Sequence, residues 1–480
     1  MKRYSILLLV IFLSVSRMAT AGGHGYKIKL KVKGIKDTTA YLGYYFADKK
    51  FSKDTIHFNS NGEAIAEGKE PLEQGIYMFI FPSMKNVYFE VLIGKDQDFS
   101  LETDTSDFLQ HMVVKGNKEL SSFYDYQKKM IEFSKERNEL NKKYRDLKKT
   151  DTAKASAVKK DIEAMSDKVE AYWDKIIKDN PKTFLATLIT AMKEPKMPEF
   201  KVPEDVHNKD SVLQTKRYYF TKNHFFDNFD LGDARLLRSP MYDSKVKYYM
   251  TRIVIQDPDT VIKEGHKLIE AASKNKETFR YMVAYMLGYY EETHLMGMDK
   301  VFVDIAENYY LNGKADWVTD SVWLGKVRDR VKKIKPNIIG YKAADMQMME
   351  LYGGGYTSLY KTKADYLILV FWSPDCGHCK KAAPKMVELE KEYRDKGVKI
   401  FAVCTEVNKD PWTEFIKKYH TEHFINVIDP YNYSKFRDKY DIYSTPTVYL
   451  LDKDKKIIAK RLDLEQLKEL LNRHLNEKKK

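Results

Sequence analysis

The chain has 480 residues, of which 43% are hydrophobic, 32% charged and 13% aromatic, and its formal net charge is +14. This length exceeds what one hydrophobic core supports, so several domains are expected, and the aromatic content argues against long disordered segments. The excess of Lys and Arg is interleaved with 69 acidic residues, and no basic block is longer than the Lys478–Lys480 tail. We therefore expect solvated charged faces and no nucleic-acid partner.

Residues 1–21 have the pattern of a secretory signal peptide. Two cations at the start precede an apolar run from Ile6 to Val15, and Ala19-Thr20-Ala21 matches a cleavage site. The apolar run is short for a transmembrane helix, and an uncleaved anchor is the alternative. The sequence thus predicts export to the periplasm or cell envelope, with a mature chain that begins near Gly22.

Residues 22–116 are predicted to form an antiparallel β-sandwich. Tyr26–Lys33 alternates apolar and cationic residues, which is the period of a half-buried strand, and Asn61-Gly62 is typical of a hairpin turn. The region has no cluster of residues typical of catalysis. His57 and His111 stand alone, so a structural or surface role is expected for each, and the module is predicted to serve binding or dimer contacts.

From residue 117 to residue 335 the apolar spacing is that of an all-α region. Residues 117–180 contain two such stretches separated by a turn near Thr150-Asp151, which predicts an antiparallel helical hairpin. The pattern leaves open whether the hairpin is a spacer, an arm for a homodimer or a packing element within the chain. Farther along, His294 and two nearby methionines could form a soft-metal ligand set, but packing at a helix end is the favoured interpretation.

The motif that most clearly indicates a reaction is Cys376-Gly377-His378-Cys379, in the predicted C-terminal domain of residues 336–480. It follows an apolar run, Tyr366–Val370, typical of a buried strand, and it precedes an amphipathic helix. The first sulfur is therefore expected at a helix N-terminus, where free N–H groups and the helix dipole favour a thiolate. Because an exported protein with three cysteines does not use disulfides as staples, the pair predicts exchange chemistry.

The third cysteine, Cys404, could contribute to a structural metal site or serve as an auxiliary redox residue. A structural metal site needs a second ligand pair, and Cys404 is not spaced to supply one, so no metal is expected. No cofactor is expected either, apart from a redox-active disulfide between Cys376 and Cys379. Cys404 ends the apolar pattern Phe401–Cys404 and is interpreted as a small core residue, the alternative being an auxiliary redox partner of Cys379.

Alternating strand and helix patterns in residues 336–480 predict a small α/β sheet layered by helices. Asp410 is the predicted N-cap of a helix that begins at Pro411.

The same residues resemble the thioredoxin fold. The resemblance rests on Phe371-Trp372, on the two cysteines with Lys380 and Pro384 beyond them, and on Ser444-Thr445-Pro446-Thr447 before a strand. Gly340–Met346 is similar to the lead-in of the exported TlpA/ResA-like, AhpC/TSA-related branch. The regions upstream resemble N-terminal modules of unknown function that accompany such domains in bacterial envelope proteins.

The resemblance implies a thiol:disulfide oxidoreductase. Cys376 would attack a substrate disulfide, and Cys379 would resolve the mixed disulfide. Thr445-Pro446 would be a cis peptide that faces the cysteines, so Pro446 counts as catalytic and Thr445, Trp372 and Gly377 as substrate-binding residues. Gly377-His378 matches the dipeptide of protein disulfide isomerases, and a protonated His378 would stabilise the thiolate and raise the reduction potential.

Two departures from the family leave the resolving step without its usual base. Val370 stands where thioredoxins keep a buried Asp, and Ala382 stands where the ResA-like branch has a Glu. Glu406, at the end of the neighbouring predicted strand, is a candidate substitute. The proton acceptor for Cys379 is therefore not apparent in the sequence, and slow turnover is the hypothesis that follows.

The expected substrates are cysteine-containing envelope proteins, which the protein would reduce or isomerise, and the expected electron donor is a membrane disulfide reductase. A peroxidase of the peroxiredoxin group is disfavoured because the P-x-x-x-T-x-x-C signature is absent around Cys376. The alternative from another class is an envelope binding or assembly protein in which the thioredoxin-like domain is accessory, since the chain before residue 336 has no assigned chemistry.

Overall fold

The computed structural model describes residues 25–205, 207–293, 295–351 and 355–477. The predicted signal peptide, residues 1–21, and His294 of the predicted methionine patch lie outside the described residues. The described chain divides into two compact units, one ending at Lys247 and the other beginning at Tyr248. The predicted helical region, 117–335, is thus shared between the two units. Among the helices in the described ranges, none is long and apolar enough to cross a membrane.

Residues 25–115 of the first unit form eight strands. They are β1 (Tyr26–Lys33), β2 (Thr38–Phe46), β3 (Lys49–Phe58), β4 (Glu63–Gly68), β5 (Gly75–Phe81), β6 (Val87–Ile93), β7 (Asp98–Asp104) and β8 (Val113–Lys115), with a 3₁₀ turn at Pro82–Met84. The strands make two four-stranded sheets, in the orders β4-β1-β7-β8 and β3-β2-β5-β6. In β1, Ile28, Leu30 and Val32 are buried between exposed or half-buried lysines, as the period-two pattern predicts.

The predicted β domain is confirmed, but its description as antiparallel is wrong for one pair of strands. β1 and β7 run parallel, while β1–β4 and β7–β8 are antiparallel. Between β1 and β7 the chain passes through the other sheet, and such a long crossover, unlike a hairpin, permits parallel pairing.

Helices follow in the first unit. They are α1 (Lys118–Lys148), α2 (Thr152–Asp179), α3 (Phe184–Met192), α4 (Lys209–His224), α5 (Ala234–Leu237) and α6 (Tyr242–Tyr248), the last residue of which is the first of the second unit. The first two form the predicted helical hairpin, capped by Asn117 and Asp151, each of which accepts a backbone N–H of the first turn. Phe133 and Tyr172 meet edge to face across the hairpin, with ring centroids 5.7 Å apart. The hydroxyl of Tyr124 donates to the Glu90 carbonyl at 2.8 Å, which joins α1 to β6.

The second unit begins with further helices. They are a π-helical segment (Tyr249–Ile253), α7 (Pro258–Ala272), α8 (Lys276–Glu292), α9 (Asp299–Ile305), a second π-helical segment (Ala306–Tyr310), α10 (Ser321–Ile334) and a 3₁₀ turn (Lys335–Asn337). Ion pairs join this helical part to the C-terminal residues of the same unit. The buried Lys460 pairs with Asp299 of α9 and also donates to the Asn337 carbonyl at 2.6 Å. Arg330 of α10 contacts Asp441 at 2.7 Å.

A seven-stranded sheet, as far as the chain is described, forms the rest of the second unit. Its elements are β9 (Gln347–Glu350), β10 (Tyr356–Ser358), β11 (Tyr366–Trp372), α11 (Gly377–Tyr393), a 3₁₀ turn (Arg394–Lys396), β12 (Val398–Cys404), α12 (Lys409–Tyr419), β13 (Ile425–Ile428), α13 (Phe436–Lys439), β14 (Thr447–Asp452), β15 (Ile457–Lys460) and α14 (Leu464–Glu477). The strand order is β10-β9-β13-β12-β11-β14-β15. β11, β12 and β13 are parallel, while β14 is antiparallel to β11. This is the predicted thioredoxin fold.

The central strand β11 is buried along its whole length, and its alternation assigns side chains to two separate cores. Ile368, Val370 and Trp372 belong to one core, which also contains Cys379 and Met386 of α11. Leu369 and Phe371 belong to the other, with Phe401 and Phe436 as partners. Because successive side chains of a strand alternate, Val370 and Trp372 lie on the face that α11 covers.

Two local features of this sheet differ from the sequence analysis. Strand β9 and the edge strand β10, of four and three residues, were not predicted, because they are too short to show a period. The helix predicted to begin at Pro411 with Asp410 as its cap begins at Lys409 instead. Asn408 is the N-cap, and its side chain accepts the Asp410 N–H at 3.1 Å.

Candidate active site

The cysteine pair lies where the central strand passes into the first helix of the sheet domain. β11 ends at Trp372, and Cys376 is the N-cap residue of α11, with extended backbone angles. Its sulfur accepts the backbone N–H of Cys379 at 3.3 Å. The predicted location of the first sulfur at a helix N-terminus is therefore what the structure shows.

Cys376 is partly exposed, and the pKa of its thiol is lowered from 9.0. Burial acts in the opposite direction, but it is outweighed by hydrogen bonds with the Thr445 side chain, the Cys379 thiol, and the backbone N–H groups of Cys379 and His378. Groups that donate to the charged sulfur favour the thiolate. The Thr445 carbonyl, 3.0 Å from the Cys376 sulfur, accepts from the thiol and favours the protonated form. The net effect makes Cys376 the readily ionised sulfur of the pair.

Cys379 is buried, with 3% of its surface exposed. Burial raises the pKa of its thiol to about 12, and its hydrogen bond to the Cys376 sulfur acts in the same direction. In the dithiol the proton of Cys379 therefore stabilises a negative charge on Cys376. Two sulfurs one helical turn apart thus differ in both access and acidity.

The loop before β14 faces the cysteines. The Thr445–Pro446 peptide is cis, as the resemblance implied. Thr445 reaches Cys376 through its carbonyl and its side chain, and Pro446 lines a cavity together with Cys379. Both residues are partly exposed, as Cys376 is.

The other predicted site residues occupy different environments. His378 is exposed in the first turn of α11, and its backbone N–H is one of the groups that favour the Cys376 thiolate. Gly377 is also exposed, and a Cβ at that position would meet no atom within 4 Å among the described residues apart from its neighbours along α11, so the space above it is open. Trp372 is 5% exposed and packs on Phe415 with ring centroids 4.2 Å apart, so it is part of the wall behind the cysteines rather than of the accessible surface.

A small cavity of about 20 Å³ adjoins Cys379. Val370 and Ala382, the two positions that lack the family carboxylates, both belong to its wall. Glu406, the candidate substitute, is exposed and is not part of this wall. The wall also contains Thr421 and Asn426, which the sequence analysis did not single out. An asparagine at the start of the apolar run 426–428 is the signal that could have drawn attention to it.

Cys404 is a buried residue of the core that also contains Cys379, and burial raises the pKa of its thiol to about 12. It pairs in register with Trp372 across β11 and β12. Within the described part of the chain, no group of three or more His, Cys, Asp or Glu side chains is arranged to hold a metal ion.

A partly exposed thiol of lowered pKa, a buried partner thiol one turn on and a facing cis-proline loop define the class as a thioredoxin-fold dithiol protein. Comparison with known families agrees. Residues 339–460 match the AhpC/TSA family, and residues 156–337 and 26–123 match two domains of unknown function, DUF5106 and DUF4369.

Individual relatives resemble the C-terminal part of the chain. The thiol-disulfide oxidoreductase ResA of Bacillus cereus is 33% identical over 137 residues, which cover 28% of this chain and 76% of ResA. The thioredoxin-like protein YneN of Bacillus subtilis is 30% identical over 115 residues, or 24% of this chain and 65% of YneN. A solved domain of a possible thiol-disulfide isomerase from Cytophaga hutchinsonii is 37% identical, covering 30% of this chain and 96% of that domain, with a TM-score of 0.28.

The chain belongs to the ResA-like thiol-disulfide oxidoreductases, through its C-terminal thioredoxin-like domain. It is therefore an enzyme of thiol–disulfide exchange, with N-terminal modules of unknown function.

Proposed function

We propose that this oxidoreductase reduces or isomerises disulfides of cysteine-containing proteins in the cell envelope. The observation that carries the proposal is the contrast between the two thiols, since Cys376 is accessible with a lowered pKa and Cys379 is buried with a pKa of about 12. Thiolates are the nucleophiles of disulfide exchange, so the first attack belongs to Cys376. Export is proposed from the signal-peptide pattern of residues 1–21.

The exchange proceeds in two steps. The Cys376 thiolate attacks one sulfur of the substrate disulfide, forms a mixed disulfide and releases the other substrate sulfur as a thiolate. Cys379 then bonds to Cys376 and releases the second substrate sulfur, so the substrate gains two electrons and the enzyme holds a Cys376–Cys379 disulfide. A membrane disulfide reductase is the proposed donor that restores the dithiol. In isomerisation, a substrate thiol displaces Cys376 before Cys379 acts.

The surroundings of the pair support binding of an extended substrate segment. Thr445 and Pro446 are partly exposed opposite Cys376, and the open space above Gly377 leaves room for a chain beside the sulfur. His378 is exposed on the same turn, where a protonated imidazole would stabilise the thiolate and raise the reduction potential of the pair.

Trapping tests this proposal. In a Cys379→Ser variant of the full chain, the second step is blocked, and we expect envelope proteins to accumulate as mixed disulfides on Cys376, visible as reducible high-mass species on a non-reducing gel. The Cys376→Ser/Cys379→Ser double variant is the matched control and should trap none. If the single variant also traps none, and the parent does not reduce insulin, the alternative of an envelope binding or assembly protein with an accessory dithiol is favoured.

Localisation needs its own measurement. Expression of the full chain followed by cell fractionation and mass spectrometry should give a mature N-terminus near Gly22 in the envelope fraction. A chain that retains Met1 and stays with cytoplasmic markers would contradict export.

A further inference from the structure

The cavity next to Cys379 has the size and the polar groups of a water site. Its volume of about 20 Å³ holds about one water molecule. Most of the residues that line it are apolar, and those with a polar N–H, O–H, amide or thiol group in the side chain are Trp372, Cys379, Thr421 and Asn426. The wall is partly exposed at Ala382 and Pro446, so the cavity reaches solvent at its edge.

Asn426 and Thr421 are nearly fully buried, with 2% and 3% of their surfaces exposed. The Asn426 amide nitrogen donates to the carbonyls of Thr421, at 2.7 Å, and Phe424, at 3.2 Å. These two bonds use both amide hydrogens and leave Oδ1 as an acceptor. Neither Asn426 Oδ1 nor Thr421 Oγ1 has a hydrogen-bond partner among the described residues. Buried polar atoms are normally paired with protein or water, and the cavity beside them has room for about one water molecule.

Strand register explains why this amide and Cys379 share one cavity. Val370 of β11 is paired in register with Ala402 of β12, and Ala402 is paired with Asn426 of β13. Paired residues on parallel neighbours point to the same face, so all three side chains lie on the face that α11 covers. Cys379 of α11 meets them there.

We propose that Asn426 and Thr421 position a buried water molecule that takes the proton of Cys379 during the resolving step. They are positioning residues, since they act through the water, and the inference rests on the proposed function of the cysteine pair. In this step the Cys379 sulfur bonds to the Cys376 sulfur while the bond from Cys376 to the substrate sulfur breaks. The electron pair of that bond leaves on the substrate sulfur. The Cys379 proton passes to the water as a proton of the water passes to solvent, and the substrate thiolate takes a proton from solvent.

The electrostatics around Cys379 make such a relay useful. The titratable group that faces Cys379 is Cys376, and the described wall of the cavity contributes no Asp, Glu, His, Lys or Arg. Once Cys376 is bound in a mixed disulfide, it no longer accepts the Cys379 proton. A high pKa of the buried thiol then requires that its proton be removed as the sulfur attacks.

Stopped-flow reaction of the reduced full chain with DTNB separates the two steps. All variants carry Cys404→Ala, so that only Cys376 and Cys379 can react. With protein in excess over DTNB, the attack of Cys376 releases one thionitrobenzoate, and the attack of Cys379 on the resulting mixed disulfide releases a second. We expect Asn426→Leu and Thr421→Val each to slow the second phase by roughly tenfold or more and to leave the first phase unchanged. The pH profile of the second phase should also become steeper in both variants, approaching tenfold per pH unit, because the thiolate must then form before it attacks.

Asn337→Leu is the matched control. Asn337 is fully buried, its amide nitrogen donates to two carbonyls, of Lys333 and Lys439, and its Oδ1 also lacks a partner among the described residues, but it is not part of the cavity wall. This variant should leave the second phase and its pH profile unchanged. Adding Ala382→Glu to Asn426→Leu should restore the rate, because it supplies a carboxylate at the edge of the cavity.

The outcomes separate the two proposals. A second phase of unchanged rate and pH profile in both Asn426→Leu and Thr421→Val overturns the relay, as does an equal loss in Asn337→Leu. Absence of any first phase in the parent protein overturns instead the proposed role of Cys376, and with it the proposed function.

Discussion

Two cysteines separated by one helical turn occupy opposite chemical environments. Cys376 meets the N–H groups of the first turn of α11 and the Thr445 side chain, and its pKa falls below 9.0. Cys379 points into the core beneath the same turn, and its pKa rises to about 12. The direction of the attack and the need for help in resolution both follow from this difference, because only the thiolate is nucleophilic.

Selective alkylation checks this difference between the thiols. When the reduced chain is treated briefly with iodoacetamide between pH 7 and pH 8, we expect modification of Cys376 alone. A group of lowered pKa has a larger thiolate fraction below its ordinary value of 9.0, whereas thiols with a pKa of about 12 remain protonated there. Peptide mass spectrometry measures the extent at each cysteine.

The control for alkylation is the denatured chain, in which Cys376, Cys379 and Cys404 should react at similar rates. Equal labelling of Cys376 and Cys379 in the folded chain would contradict the assignment of the nucleophile. Strong labelling of Cys404 would revive its alternative role as an auxiliary redox partner.

Among the secondary-structure elements, α12 has a different N-cap residue from the one that the sequence predicted. The pattern of Asp410 followed by Pro411 predicted that the aspartate is the N-cap. The structure instead uses Asn408, whose side chain accepts the Asp410 N–H, and Asp410 becomes an acidic residue in the first turn of α12. An N-cap needs extended backbone angles, and the cap is the residue at which the chain turns into the helix.

Substitutions at these two positions test the cap. Asn408→Ala is expected to lower the free energy of opening of α12 by about 1 kcal/mol, because an N–H of the first turn loses its acceptor. Asp410→Ala removes only a charge at the positive end of the helix, worth about 0.3–1 kcal/mol at low salt and less at high salt. Hydrogen exchange of the α12 amides at high salt measures both. A larger loss for Asp410→Ala under those conditions would show that the aspartate is the cap.

Among the strands, those with long apolar runs were predicted from the sequence, and the short ones were not. β11 and β12 were predicted because their apolar runs are long and both faces are buried. β9 and β10 are short; β9 pairs with β13 on one side and with the edge strand β10 on the other. The parallel pairing of β1 with β7 likewise depends on the path of the chain through the other sheet, which no local pattern encodes.

At the scale of the whole molecule, buried charges tie together parts of the second unit that are far apart in sequence. Lys460 of β15 is 4% exposed and pairs with Asp299 of α9. Burial lowers the pKa of this lysine, and Asp299 opposes that effect. Arg330 and Arg461 both pair with the buried Asp441, which adds a second such connection. Buried ion pairs thus join the helical part of this unit to the thioredoxin-like sheet, and in each pair the opposite charge offsets the cost of burial.

Removing one partner of the buried pair should therefore be costly. Asp299→Ala is expected to destabilise the second unit by about 3–5 kcal/mol, because it leaves Lys460 charged and buried without its partner. Lys300→Ala breaks the neighbouring, more exposed pair of Lys300 with Asp259 and should cost less than about 1 kcal/mol. Urea unfolding monitored by fluorescence measures both changes.

The double variant Asp299→Ala/Lys460→Met sharpens the test of this pair. It removes the uncompensated charge, so much of the lost stability should return. A loss in the double variant as large as that in Asp299→Ala would mean that packing rather than charge accounts for the effect.

The thioredoxin-like domain, the position of Cys376 and Cys379 between a strand and a helix, and the loop that contains Pro446 were all predictable from the sequence. These features could be predicted because they depend on local apolar periods, on the spacing of two cysteines and on a short motif before a strand. The folded structure was needed to show that a cavity next to Cys379 is lined by Val370, Ala382, Thr421 and Asn426. Those residues come from separate strands, a helix and a loop; the register of β11, β12 and β13 brings Val370 and Asn426 to one face, and α11 and the loop before β13 contribute the other two. The high pKa of Cys379 also became apparent only in the folded chain, because burial is a property of the tertiary structure, whereas the thiolate character of Cys376 was predicted from its position at a helix N-terminus.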